Sequence, residues 1–143
     1  MPDLRVRALQ MLTRRDYSRA QLQAKLAVHA ESEEELNAVL DTLQGERLLS
    51  DSRYASQRVV ARAGRYGNTR LRQELKQQGV GEADIEAALP EAGDEAERCR
   101  AVWLKKFGQV PGSAEERAKQ MRFLQYRGFS GEAICRTLRG VEE

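Results

Sequence analysis

The sequence predicts an all-α protein of three tandem three-helix repeats forming an elongated, curved array. Three observations predict it. Apolar residues recur at helical spacing throughout the chain. No stretch alternates apolar and polar residues as a half-buried strand does. The apolar frame also returns after a fixed interval: Leu36, Ile85 and Ile134 are 49 apart, as are Leu40, Leu89 and Leu138, and Leu26, Leu75 and Leu124. A period in that range marks an array of one supersecondary unit. The bulk numbers agree. The 143 residues are 41% hydrophobic, 32% charged and 6% aromatic, with 3 prolines. Such a balance suits helices with one wet face.

The first repeat is placed at residues 1–50. Leu4, Ala8, Met11 and Leu12 form one face of its first helix. Ser18 is a good N-cap for the second, because a hydroxyl accepts the free N–H groups of a first turn. Leu22 and Leu26 follow it. Ser32 and Glu35 have capping-box spacing, and Leu36, Val39, Leu40 and Leu43 form the stripe behind them.

The second repeat is placed at residues 51–92. Asp51 reads as its first N-cap, before Tyr54, Ala55, Val59 and Ala63. Asn68 or Thr69 caps the next helix, Leu71 and Leu75 face inward, and Gly79 stops it. Ile85, Ala88 and Leu89 follow, and Pro90 ends the run.

The third repeat is placed at residues 93–143, opening at Asp94. Cys99, Val102, Trp103 and Phe107 make its first face, and a Gly/Pro stretch follows from Gly108 to Gly112. Met121 and Leu124 precede a stop at Gly128, and a last helix from Ser130 carries Ile134 and Leu138. The pair Gly79-Val80 matches Gly128-Phe129 at the same offset, whereas the first repeat has Val28-His29-Ala30 there. Each repeat looks too small to bury a full core alone, so neighbours are expected to pack edge to edge.

No catalytic constellation emerges, so an enzyme is not expected. His29, Cys99 and Cys135 are the only histidine and cysteines, too few for a four-ligand zinc site. No Cys–His pairing is supported by their flanks. No glycine-rich phosphate loop is present, and no cofactor or metal is expected. The cysteines read as buried small hydrophobes and His29 as a helix-end or surface residue. No apolar run approaches membrane length, and no signal-like segment follows Met1. A reduced, cytoplasmic setting is the expectation.

Charge is more informative. The net charge is only +2, yet it is segregated. Residues 53–76 hold seven bases and one acid, Glu74; residues 30–46 hold six acids and no base, and residues 77–97 seven acids and no base. Arg58, Arg62 and Arg65 fall on one helical stripe, and Arg70, Arg72 and Lys76 follow after a Tyr-Gly-Asn turn. Two readings stay open. The block is either a solvated face whose arginine stems cover apolar surface, or a contact for a polyanion or acidic protein surface. Tyr66 either packs in the turn or stacks on a base. An N-terminal group that includes Arg14 and Arg15 carries the same two readings.

Four segments resemble one family in order. Residues 5–26 (RVRALQMLTRRDYSRAQLQAKL), 48–55 (LLSDSRYA), 67–79 (GNTRLRQELKQQG, then Val80) and 123–130 (FLQYRGFS, then Ile134) are similar to the RecX proteins, regulators of RecA recombinase. The likeness runs from about Leu4 to Leu138. It implies tandem three-helix units and a monomer acting in recombination, DNA repair and the SOS response. It further implies an inhibitor that binds the RecA–single-stranded DNA filament in its groove and blocks strand exchange and ATPase. The alternative is a stand-alone helical nucleic-acid-binding module that competes for DNA. The candidate contact residues are Arg58, Arg62, Arg65, Arg70, Arg72, Lys76, Arg14 and Arg15. Charge reversal at Arg62 and Arg65 is expected to weaken filament inhibition with helicity intact. Only Gly140-Val-Glu-Glu follows the last helix, so any role of an extended tail is in doubt.

Overall fold

A computed structural model describes residues 3–139; the Gly140–Glu143 tail lies outside the described residues. Those residues form nine α-helices and no strand. They are α1 (Leu4–Leu12), α2 (Arg19–Leu26), α3 (Glu33–Gly45), α4 (Asp51–Arg62), α5 (Asn68–Gln77), α6 (Glu82–Ala88), α7 (Glu95–Lys106), α8 (Ala114–Tyr126) and α9 (Gly131–Leu138). Short 3-10 turns follow α2 (Ala27–His29) and α6 (Leu89–Ala92). None of these helices is long and apolar enough to cross a membrane.

The helix starts follow from side-chain caps. Asp3, Ser18, Ser32, Asp94, Ser113 and Ser130 each accept a first-turn N–H. Three expectations change. Ser18 completes a reciprocal capping box with Gln21, but Glu35 turns to the N–H of Glu31 instead of closing one with Ser32. Asp51 is not a cap: Ser50 accepts the N–H of Arg53 at 3.0 Å. The Asp51 carboxylate instead accepts the N–H of Arg19 at 2.7 Å, capping α2 from outside. Neither Asn68 nor Thr69 caps α5, since Asn68 is already its first residue; its N–H donates to Glu95 at 2.9 Å. As expected, α6 ends ahead of Pro90, at Ala88, and the Pro90 ring sits in the opening of the 3-10 turn that follows.

The chain divides into two compact units. The first is the chain up to Gln57 with Leu75–Ala87; the second is Arg58–Glu74 with the chain from Ala88 on. In the first unit Leu22, Leu26, Leu40 and Leu43 are fully enclosed, with Leu4, Ala8, Tyr17, Leu36 and Leu49 around them. In the second, Cys99, Leu124 and Ile134 are enclosed with Trp103, Phe129 and Leu138. The three helices of the first repeat and those of the third thus each enclose a core of their own, contrary to expectation. Trp103 can be buried because its indole N–H donates to Gln120 at 2.8 Å, and Gln120 donates to the carbonyl of Gln109. Cys99 is buried as expected, and burial pushes its thiol pKa up. Cys135 is only half-buried, since it lies at the edge of α9's apolar face.

One joint occurs in both units. In the first, the Ser18 hydroxyl donates to the carbonyl of Gln78 at 2.6 Å, and Gly79 (φ 84°) presses on Ala20. A Cβ at Gly79 would come within 2.3 Å of the Ala20 Cβ. In the second, the N–H of Gly67 donates to the carbonyl of Arg127 at 2.8 Å, and Gly128 (φ 89°) presses on Arg70. Ser18 and Gly67, and likewise Gln78 and Arg127, are 49 apart. Each joint therefore seats the start of one second helix on the end of the next.

Candidate nucleic-acid and partner interface

The basic block forms around the turn between α4 and α5. Helix α4 ends at Arg62, so Arg65 lies beyond it, in a turn where its N–H still donates to Arg62. The expected three-arginine stripe is therefore two helical residues and one turn residue. In the second unit Arg62 forks onto the only acid of the block. Its Nε donates to Glu74 Oε1 at 2.6 Å and its Nη2 to Oε2 at 2.8 Å. Arg70, one helical turn before Glu74, adds Nε to Oε2 at 3.2 Å. Burial pushes the Glu74 carboxyl up, but hydrogen bonds from Arg62 and then Arg70 outweigh it and hold its pKa below the usual value. The same bonds hold the Arg62 guanidinium firmly charged.

An aromatic layer lies against these cations. The Tyr66 ring has Arg70 at 4.4 Å, Arg62 at 4.5 Å, Arg65 at 5.5 Å and Arg127 at 5.7 Å. Arg127 also lies 4.9 Å from the Phe123 ring and donates to the carbonyl of Arg65 at 3.1 Å. Arg70 donates to the carbonyl of Tyr126 at 3.3 Å, and its guanidinium is 5.7 Å from the Tyr126 ring. Tyr66 is half-buried and packs in the turn, whereas Tyr126 is 77% exposed. Glu74 binds Arg62 and Arg70, while Arg65 and Arg127 lie against the Tyr66 ring, so the cluster keeps a net positive charge.

The other candidates are placed differently. Arg58 is half-buried on α4, Arg72 is exposed on α5, and Lys76 is exposed at the end of α5 in the first unit. Arg15 covers the Tyr17 ring at 3.7 Å, and Arg14 is exposed after α1. Arg53 is structural. It forks onto Asp16 and donates to the carbonyls of Arg47 and Leu48. Residue reasoning missed Tyr126, Arg127 and Phe123, which α8 brings to Tyr66 from far along the chain. The available signal was the 49-residue offset: Gly79 aligned with Gly128, and the residues before that glycine belong to the joint.

The described residues make tandem three-helix units with a cation–aromatic cluster on the surface. Residues 50–89 match the second three-helix domain of RecX and residues 93–138 the third. The chain is 47% identical to the regulatory protein RecX of Ralstonia pickettii, over 98% of this chain and 89% of that one. It is 46% identical to the RecX of Pseudomonas fluorescens, over 93% and 88%. The crystal structure of RecX from Lactobacillus salivarius superposes with a TM-score of 0.84 at 19% identity, over 95% and 92% of the two chains, and so shares the fold. The chain belongs to the RecX family of regulatory proteins.

Proposed function

We propose that the chain modulates RecA recombinase by binding the RecA–single-stranded DNA filament in its groove, inhibiting strand exchange and the coupled ATPase. Membership of the RecX family along nearly the whole chain is the observation that carries this reading. The cation–aromatic cluster supports it. Arg65, Arg127 and the exposed ring of Tyr126 offer charge and a stacking face to a nucleic-acid strand. Arg58, Arg62, Arg70 and Arg72 complete the candidate surface of the second unit, and Lys76, Arg14 and Arg15 of the first unit are further candidate contacts. In this reading the repeats are 1–50, 51–92 and 93–143, and the protein is a cytoplasmic monomer that performs no catalysis itself.

The deciding experiment is an ATPase titration on preformed filaments. A filament modulator lowers ATPase far below the concentration that coats the DNA. Inhibition appearing only at stoichiometric DNA coverage would sink this reading in favour of a module that competes for DNA.

A further inference from the structure

A second basic feature lies in the first repeat, away from the Tyr66 cluster. Helix α1, the last turn of α2 and the 3-10 turn after it border an open hollow of about 200 Å³. Met11 and Leu26 line it with Arg7, Arg14, Lys25 and His29, and no carboxylate is among its walls. Among the described residues no carboxylate pairs with Arg7, Arg14 or Lys25. Other bases of the same unit are paired: Arg5 with Glu46, Arg19 with Asp41, Arg53 with Asp16.

Two effects compete at this hollow. The C-terminal ends of α1 and α2 present carbonyls, worth about half a negative charge each. They favour the cations and oppose an anion. Three full positive charges outweigh those two half charges, so the hollow remains positive. Converging like charges without a counter-ion repel one another, and an anion between them removes that cost. The donors are also of the right kind, because arginine presents a planar fork to phosphoryl oxygens and lysine a point charge.

The fold explains why the hollow is open. In the later repeats the end of the second helix is covered by a joint, with Gln78 and Arg127 each accepting a bond from the start of an earlier second helix. In the first repeat the same stretch is Val28-His29-Ala30. Among the described residues nothing covers it, and Val28 is 80% exposed.

We infer that Arg7, Arg14, Lys25 and His29 form a phosphoryl-binding site at this unoccupied joint position. The group it takes is a phosphate, either a free phosphomonoester or a backbone phosphodiester. This sharpens the place of Arg14 in the proposed interface, but its test contains no recombinase, so the two readings can fail separately.

His29 is the only histidine, so its imidazole proton resonance reports the site in the full-length protein. The protein is titrated at fixed pH with inorganic phosphate, with an oligothymidylate, and with sodium chloride at matched ionic strength. A saturable His29 shift with phosphate identifies a monoester site; a shift with the oligothymidylate alone identifies a backbone site. Arg7→Gln and Lys25→Gln each weaken the response about tenfold, the loss of one charge-assisted contact, with the helical circular dichroism of the parent. Shifts no larger than those from chloride, or unchanged in both variants, overturn the inference. The comparison with chloride decides the matter even if a variant folds poorly.

Discussion

Arg62 grips Glu74 with two parallel hydrogen bonds, at 2.6 and 2.8 Å, and so spends one cation of the basic block on holding the block together. Both side chains are only 21% exposed. Glu74→Gln therefore leaves two half-buried guanidinium groups without their carboxylate. Stability is expected to fall by about 1–3 kcal/mol, while affinity for an oligonucleotide rises as the surface gains a net positive charge. Urea unfolding and a binding titration check the two directions. A variant that binds more weakly contradicts the assignment.

The same pair sets a pH dependence. The folded-state pKa of Glu74 is depressed, so its contribution is present above the ordinary carboxyl value of about 4.3. It is lost as pH falls through the lower folded value. Melting temperatures of parent and Glu74→Gln proteins should differ at neutral pH and converge as pH falls through the depressed folded value. Parallel curves would show that the ion pair does not contribute.

Arg62 and Arg65 should respond differently to the same change. Arg65→Gln removes an exposed cation in a turn and leaves stability within about 0.5 kcal/mol. If Arg65 meets a phosphate, the slope of log affinity against log salt for single-stranded DNA shrinks by about 0.7. Arg62→Gln should cost stability as well. Charge reversal at Arg62 thus tests packing and binding together, and reversal at Arg65 alone is the cleaner probe.

Tyr66 and Tyr126 divide along the same line. Tyr126→Ala should leave the melting temperature unchanged and weaken oligonucleotide binding about tenfold, the worth of one stacked base. Tyr66→Ala should lower the melting temperature, since its ring is enclosed by arginines. If Tyr126→Ala binds like the parent, the exposed ring is not a stacking platform.

Helices and their inner faces were legible because period, caps and glycine stops are local signals. Ser18, Gly79 and Gly128 act as their spacing predicts. Non-local caps were not legible. Asp51 serves α2 and Glu95 serves α5, and nothing near either residue in sequence announces that reach. The site was half legible for the same reason. Its arginines are contiguous, but Tyr126 and Arg127 arrive on another repeat, and Glu74 looked like one acid lost among bases.

The joints themselves are testable. Gly128→Ala would bring a Cβ within 2.2 Å of the Arg70 Cβ and force a side chain into positive φ. A loss of about 2 kcal/mol or more is expected for it and for Gly79→Ala. Gly64→Ala, whose Cβ meets nothing within 4 Å, is the control and should change stability by less than about 0.5 kcal/mol.

Because both joints use the same two positions 49 residues apart, the second repeat carries a plug at the start of its second helix and a socket at its end. A duplicated copy of the second repeat, inserted before the third, would bring both halves of its connector with it. Growth from within the array needs no new chemistry. Growth ahead of the first repeat would, because α2 runs out into Val28-His29-Ala30 with no glycine to form a socket. The array can lengthen in its middle by simple duplication, while the end of α2, which has no socket glycine, can serve another use.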